Sequence, residues 1–166
     1  GTMKYIRCFL MGGVILCSVA LSQTEEAPLA TVETSMGRFE IELYATDAPK
    51  TVENFIGLAE KKFFAGQRFH RVSKNFVIQA GDDKSKDPKK KAEWGTGGKS
   101  IWGKEFADEL NSNTPSYKAG YLKGVLAMAN RGPNTNTSQF FVMLRDNTSL
   151  PKSYTIFGKV VKGVEV

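Results

Sequence analysis

Phe69-His70-Arg71-Val72-Ser73-Lys74-Asn75-Phe76-Val77-Ile78-Gln79-Ala80-Gly81 and Met128-Ala129-Asn130-Arg131-Gly132-Pro133-Asn134-Thr135-Asn136-Thr137-Ser138-Gln139-Phe140-Phe141 are the two stretches whose reading decides the fold. Their apolar runs have strand length and are bounded by glycine, asparagine and proline. Taken bare, they set one arginine, the amides Gln79 and Asn130, and several aromatics on neighbouring strands. No pair has the form of a nucleophile beside its base. The set can build an apolar pocket rimmed by hydrogen-bond donors, the usual form of a ligand site. Adjacent strand residues face opposite ways, so at least one ring of Phe140-Phe141 must belong to the core.

Working outward, Ala30 to Glu33 and Arg38 to Tyr44 read as a hairpin around Ser35-Met36-Gly37. Phe39, Ile41 and Leu43 alternate with Arg38, Glu40 and Glu42, the two-residue period of a strand with one buried face. A helix is expected over about 48–61, with Asp47 as N-cap and Pro49 in the first turn, where its missing N–H costs nothing. Val52, Phe55, Ile56 and Ala59 form its apolar stripe. Strands follow at Arg68–Val72, Phe76–Ala80, Gly124–Asn130, Gln139–Leu144 and Tyr154–Val161, interrupted by a Gly- and Lys-rich excursion over 81–120. Many short strands, one early helix and glycine-rich turns argue for a mainly β protein, closed or nearly closed into a barrel.

The chain has 166 residues, 41% of them hydrophobic and 24% charged, which suits one globular domain with a short extra segment. Its net charge is +6, much of it in Lys84, Lys86, Lys89, Lys90 and Lys91, a run expected to be a solvated loop. After Gly1-Thr2, which read as a scar, Met3, Lys4 and Arg7 precede an apolar run from Cys8 to Ser22. That is the pattern of a signal peptide over 1–22, with Ala20 and Ser22 as the small residues before a cut. A retained anchor, or lipidation at Cys17 despite the bulky Leu16 before it, are the alternatives. Residues 23–29 read as a polar linker and 30–166 as the domain. Both cysteines lie in the signal segment and His70 is the one histidine, so the mature chain lacks the residues for disulfides, thiolate metal sites or a zinc hydrolase.

The two opening stretches resemble the two signature segments of the cyclophilin family of prolyl isomerases. Gly95-Thr96-Gly97-Gly98-Lys99-Ser100-Ile101-Trp102-Gly103 and Phe157-Gly158-Lys159-Val160-Val161-Lys162-Gly163 are similar to further family segments, so that the likeness runs from Ala30 to Val166. It implies an eight-stranded antiparallel barrel with capping helices, of which the last helix and strand are expected to be missing here. It also implies that Arg71 is the catalytic arginine and that Phe76, Val77, Phe141 and Leu150 form the proline pocket. Gln79, Ala129, Asn130 and Gln139 match positions that hold the substrate backbone, and Tyr154 forms the rim. Val77 stands where many members have methionine, Ser149 where the best-known eukaryotic members have tryptophan, and Tyr154 where they have histidine. The second difference argues against tight cyclosporin binding.

The expected activity is isomerisation of X–Pro bonds in unfolded or exposed segments of exported proteins, in a periplasmic or extracellular setting, by a monomer with no cofactor or metal. The membrane is touched only through the signal segment. A non-catalytic receptor or holdase for proline segments would use the same pocket. A nucleic-acid-binding barrel using the lysine loop lacks the aromatic interleaving of single-strand binders. Gly98-Lys99-Ser100 is not a phosphate loop, because Glu93 occupies the position of its first glycine. His70 reads as structural, and Asn136-Thr137-Ser138 and Asn147-Thr148-Ser149 match the glycosylation acceptor pattern.

Overall fold

The computed structural model describes residues 26–166; the expected signal segment and residues 23–25 of the expected linker lie outside them. Seven strands form one antiparallel sheet: β1 (Leu29–Thr34), β2 (Gly37–Leu43), β3 (Arg71–Ser73), β4 (Val77–Ala80), β5 (Val125–Met128), β6 (Phe140–Met143) and β7 (Ile156–Lys162). Their spatial order is β1-β2-β7-β5-β6-β4-β3, curled into a half-barrel with β1 and β3 at its edges. Leu29, assigned above to the linker, is the first residue of β1. It pairs with Glu42 because the hairpin register, closed by Thr34 opposite Gly37, carries the ladder that far.

Two apolar clusters lie on the two faces of this sheet. Phe39, Ile41 and Leu43 from β2 meet Leu126, Met128, Phe140, Val142 and Phe157 on one face. The helix α1 (Pro49–Glu60) packs Val52 and Phe55 into the same cluster. Val77, Val125, Ala127, Phe141, Met143 and Ile156 make a second cluster on the other face. Strands β5 and β6 are buried along their whole length because both their faces are covered. The pair Phe140-Phe141 therefore divides, one ring to each cluster.

The helix lies where the spacing places it, with two differences. Its buried face is Thr51, Val52, Asn54, Phe55 and Leu58, whereas Ala59 is exposed; the core-facing stripe runs through 52, 55 and 58 and leaves 59 on the outer side. Asp47 is not its cap. Ala48 holds the N-cap position and makes no side-chain cap bond, while Asp47 Oδ2 accepts from Ser116 N, 3.0 Å, at the short helix α2 (Pro115–Ala119). The first turn of α1 is served instead by Glu109, whose carboxylate accepts from Thr51 N at 2.7 Å, Thr51 Oγ1 at 2.8 Å and Lys50 N at 3.3 Å. A carboxylate at a helix N-terminus satisfies orphan N–H groups and meets the positive end of the helix dipole.

The 81–120 excursion is not structureless. It contains two 3₁₀ turns, Asp83–Lys86 and Pro88–Glu93, each started by an aspartate that accepts from a backbone N–H two residues on. From α1, the buried Asn54 donates to Thr137 O at 2.8 Å and accepts from Ile101 N at 2.9 Å. One helix residue thus ties down the excursion and the second signature stretch together.

Candidate active site

Strand register brings the chemistry-bearing residues into one row. Arg71 lies opposite Gln79, Gln79 opposite Phe141, and Phe141 opposite Ala127, on four successive strands. Directly opposed residues of antiparallel strands share a face, so all four side chains are on the side of the second cluster. Phe76, Ala129, Leu150 and Tyr154 pack against that cluster from the flanking loops. Phe76, Val77, Phe141 and Leu150, matched above to a proline pocket, therefore lie on one face of the sheet.

The Arg71 guanidinium lies over the Phe76 ring, 5.9 Å from its centroid, and its Nη1 donates to Gln79 Oε1 at 3.3 Å. Among the described residues it has no carboxylate partner. That argues against reading it as an ordinary ion-paired surface arginine. Gln79 Nε2 donates to Gln139 Oε1 at 2.9 Å, and Gln139 Nε2 donates to the carbonyls of Gly95 and Gly97 at 3.0 and 2.7 Å. The direction of this chain is forced. Two backbone carbonyls accept only, so Gln139 must turn its NH₂ to them and its oxygen to Gln79. Gln79 must then turn its own oxygen to Arg71. One of the five guanidinium N–H donors is spent in this way and the others remain for a ligand.

The loop that starts the chain of bonds is fixed by Asp82, which is fully buried. Its carboxylate accepts from the backbone N–H groups of Gly95, Gly97 and Lys84, and the neighbouring Asp83 accepts from Gly98 N at 2.9 Å. A Cβ at Gly97 would lie 2.2 Å from Asp82 Oδ1, so no side chain fits there. The glycines of this segment serve a buried carboxylate rather than a phosphate.

The apolar part is built around Phe141. Tyr154 meets its ring edge-on, with centroids 5.5 Å apart and planes at 82°, a favourable aromatic geometry. The Tyr121 hydroxyl holds the Tyr154 backbone from both sides, donating to Tyr154 O at 2.8 Å and accepting from Tyr154 N at 3.1 Å. Burial pushes the Tyr121 pKa up to about 12, so this clamp stays protonated at any physiological pH. Leu150 is set by Asn147, whose Oδ1 accepts from Leu150 N at 3.0 Å and from Ser149 N at 2.9 Å. Val77, matched above to a pocket wall, is only 1% exposed and belongs to the buried cluster around Phe141.

Asn130 uses its side chain internally. Its Nδ2 donates to Ser153 O at 2.9 Å and its Oδ1 accepts from Gly132 N at 3.2 Å. Its main-chain groups have no partner among the described residues and are the ones left for an extended ligand. His70 sits against Gly95, and neither of its ring nitrogens has a partner among the described residues. Burial pushes its pKa below the ordinary value, an effect the nearby Asp82 and Gln139 partly offset. Asn136 is fully buried and donates to Asp108 Oδ1 at 2.7 Å, which closes that acceptor motif in the folded state.

Asp82, Tyr121 and Glu109 are supports that the sequence does not reveal. Each acts on groups well removed in sequence, and an isolated aspartate, tyrosine or glutamate carries no local pattern that reveals its partner. Among the described residues no group of three or more His, Cys, Asp or Glu side chains converges as a metal site would require. No described helix is long and apolar enough to cross a membrane.

A family model for cyclophilin type peptidyl-prolyl cis-trans isomerases matches residues 29–166. Peptidyl-prolyl cis-trans isomerase CYP18-2 of Arabidopsis thaliana is 42% identical over 139 residues, which cover 84% of this chain and 77% of the relative. Peptidyl-prolyl cis-trans isomerase-like 1 of Mus musculus is 45% identical over 141 residues, 85% of this chain and 78% of the relative. The crystal structure of a cyclophilin type isomerase of Cryptosporidium parvum superposes with a TM-score of 0.71 at 35% identity, covering 82% of this chain and 79% of that one. The same protein in the presence of the dipeptide Ala-Pro gives a TM-score of 0.70 at 34% identity, with 82% and 80% coverage.

Proposed function

Given that the chain belongs to the cyclophilin-type peptidyl-prolyl cis-trans isomerase family and has that activity, we propose that Arg71 is its catalytic group and that the surface around Phe141 takes the proline ring. Resonance in the peptide bond sets a barrier of about 18–20 kcal/mol, so uncatalysed X–Pro exchange takes on the order of tens to hundreds of seconds. The planar ground state is the more dipolar one; in the twisted transition state the nitrogen regains its lone pair. An apolar floor of Val77, Phe141 and Leu150 disfavours the dipolar form. The free N–H groups of Arg71 hydrogen-bond the lone pair only once it exists. No proton is transferred and no covalent intermediate forms. The gain is differential binding of the transition state.

The observation that supports this reading is the polarised chain from Gly95 and Gly97 through Gln139 and Gln79 to Arg71, ending beside Phe76. It holds a permanent cation at the edge of an apolar surface without neutralising it. A charge-assisted hydrogen bond contributes roughly 1.5–3 kcal/mol, and each 1.4 kcal/mol or so is tenfold in rate. Arg71→Ala is therefore expected to lower catalysed isomerisation of a proline tetrapeptide at least about tenfold with an unchanged circular-dichroism spectrum. Equal rates for variant and parent would remove Arg71 from the mechanism.

The substrates proposed are proline-containing segments of unfolded or exposed polypeptide, handled by a monomer that assists the folding of exported proteins. Residues 1–22 are read as the export signal, and expression in a secreting host with N-terminal sequencing of the product tests this. A product beginning at or near Gln23 is expected; retention of Lys4 and Arg7 in the mature chain would contradict it.

A further inference from the structure

The net charge is confined to one part of the chain. Residues 60–99 carry eleven Lys and Arg against five Asp and Glu, an excess of six that equals the charge of the whole molecule; all remaining residues carry twelve of each. The fold brings two of these cations together over one ring. Phe63, just past α1, has the Lys86 ammonium and the Lys99 ammonium each 5.8 Å from its ring centroid. Lys61 and Lys62 flank it and are exposed, as are Lys89, Lys90 and Lys91 on the second 3₁₀ turn. Arg68 joins the segment after α1 to the first 3₁₀ turn by donating to Ser85 O and Lys86 O at 2.6 and 2.9 Å.

The acids of the segment do little to neutralise it. Asp82 and Asp83 hold the backbone of the 95–98 loop, Asp87 accepts from Lys89 N, and Glu93 pairs with Lys84 at 3.1 Å. Of the lysines here, Lys84 alone has an ion-pair partner among the described residues. This basic surface is continuous with the candidate active site. Lys84 Nζ donates to Thr96 Oγ1 at 3.0 Å, between the two glycines whose carbonyls anchor Gln139, and Lys99 closes the same loop.

We propose that this surface selects substrates, by docking an acidic stretch of polypeptide that flanks the X–Pro bond. The proposal rests on the isomerase reading above and adds the class of segment preferred. A chain of carboxylates needs only the exposed ammonium groups, with complementary charge steering the encounter. A nucleic acid would also need aromatic faces for its bases, and here those faces are taken. Phe63 is covered by two lysines. Trp94 has the Arg68 guanidinium 5.7 Å from its centroid and spends its Nε1 on Asp87 O at 3.1 Å.

The test compares proline tetrapeptides extended by a flexible spacer and a short run of glutamate, glutamine or lysine. The parent protein at low salt is expected to give about tenfold higher kcat/KM for the glutamate peptide than for the glutamine one, from several exposed charge pairs acting together. The lysine peptide should be the poorest, and the differences should collapse as salt shortens the screening length. The triple variant Lys89→Glu, Lys90→Glu, Lys91→Glu should lose the glutamate preference while turning over the glutamine peptide as the parent does. The triple variant Lys118→Glu, Lys123→Glu, Lys162→Glu, which changes net charge equally elsewhere, should keep the preference. Equal kcat/KM for the glutamate and glutamine peptides overturns the proposal, as does single-stranded DNA displacing the glutamate peptide more effectively than free polyglutamate. Failure to turn over even the glutamine peptide would overturn the isomerase reading instead.

Discussion

Arg71 is exposed and has no ion-pair partner among the described residues, yet it is held at the site, because two side-chain amides and two backbone carbonyls fix what its guanidinium faces. His70, its neighbour, is constrained in the opposite sense: its ring is packed against Gly95 with no partner for either nitrogen among the described residues. Burial lowers its pKa in the folded state, so between that value and about 6.5 the unfolded chain binds a proton that the folded chain does not. Stability is then complete above about pH 6.5 and falls as the pH drops toward the folded value. Urea midpoints measured across pH 5 to 8 should show this fall for the parent and a smaller one for His70→Gln. Identical profiles would mean that burial does not govern His70. Catalysis by an arginine that stays charged should vary little with pH near neutrality. The arginine and the aromatic pair were legible in the sequence because their motif is local. The ligation of Asp82 was not, because it serves amides 13 and 15 residues away.

Among the elements, several strands and the helix follow from patterns the residues display: alternation in β2, a proline at the start of α1, and apolar runs for β5 and β6. What the sequence hid were the contacts between elements. Asp47 stands where a cap belongs, but Glu109 caps α1 from 58 residues away. Removing it by Glu109→Ala should cost about 1–2 kcal/mol, the upper range for a helix cap, read as a lower urea midpoint with an unchanged slope. No change in midpoint would show that the cap contributes nothing net. The loop 95–98 makes the second case. Gly97→Ala places a Cβ on the carboxylate that fixes the loop, so the carbonyls that orient Gln139 must shift. Misplacement of a group by a fraction of an ångström is costly for catalysis, and kcat should fall about tenfold or more while the far-UV spectrum is retained. Full activity in Gly97→Ala would detach the loop from the chemistry.

For the whole molecule, the curled sheet divides its labour between faces. One face meets α1 and makes the main core, and the other carries the site. The division explains why β5 and β6 read as continuous apolar runs without alternation. It also sets the exposed Arg71 at one end of a row whose members Phe141 and Ala127 are buried in the cluster against which Phe76, Ala129, Leu150 and Tyr154 pack. Part of the charge excess of residues 60–99, Lys84, meets Thr96 in the loop that anchors Gln139. Catalysis by this site requires that Arg71 act on the twisted bond and not merely on the bound peptide. The direct measurement is the separation of kcat from peptide affinity in Arg71→Ala, using NMR exchange at equilibrium on a proline peptide together with its dissociation constant. The account predicts that kcat and kcat/KM fall together, at least about tenfold, with affinity nearly unchanged. A variant that binds the peptide much more weakly but, once saturated, exchanges it at the parent rate would contradict it.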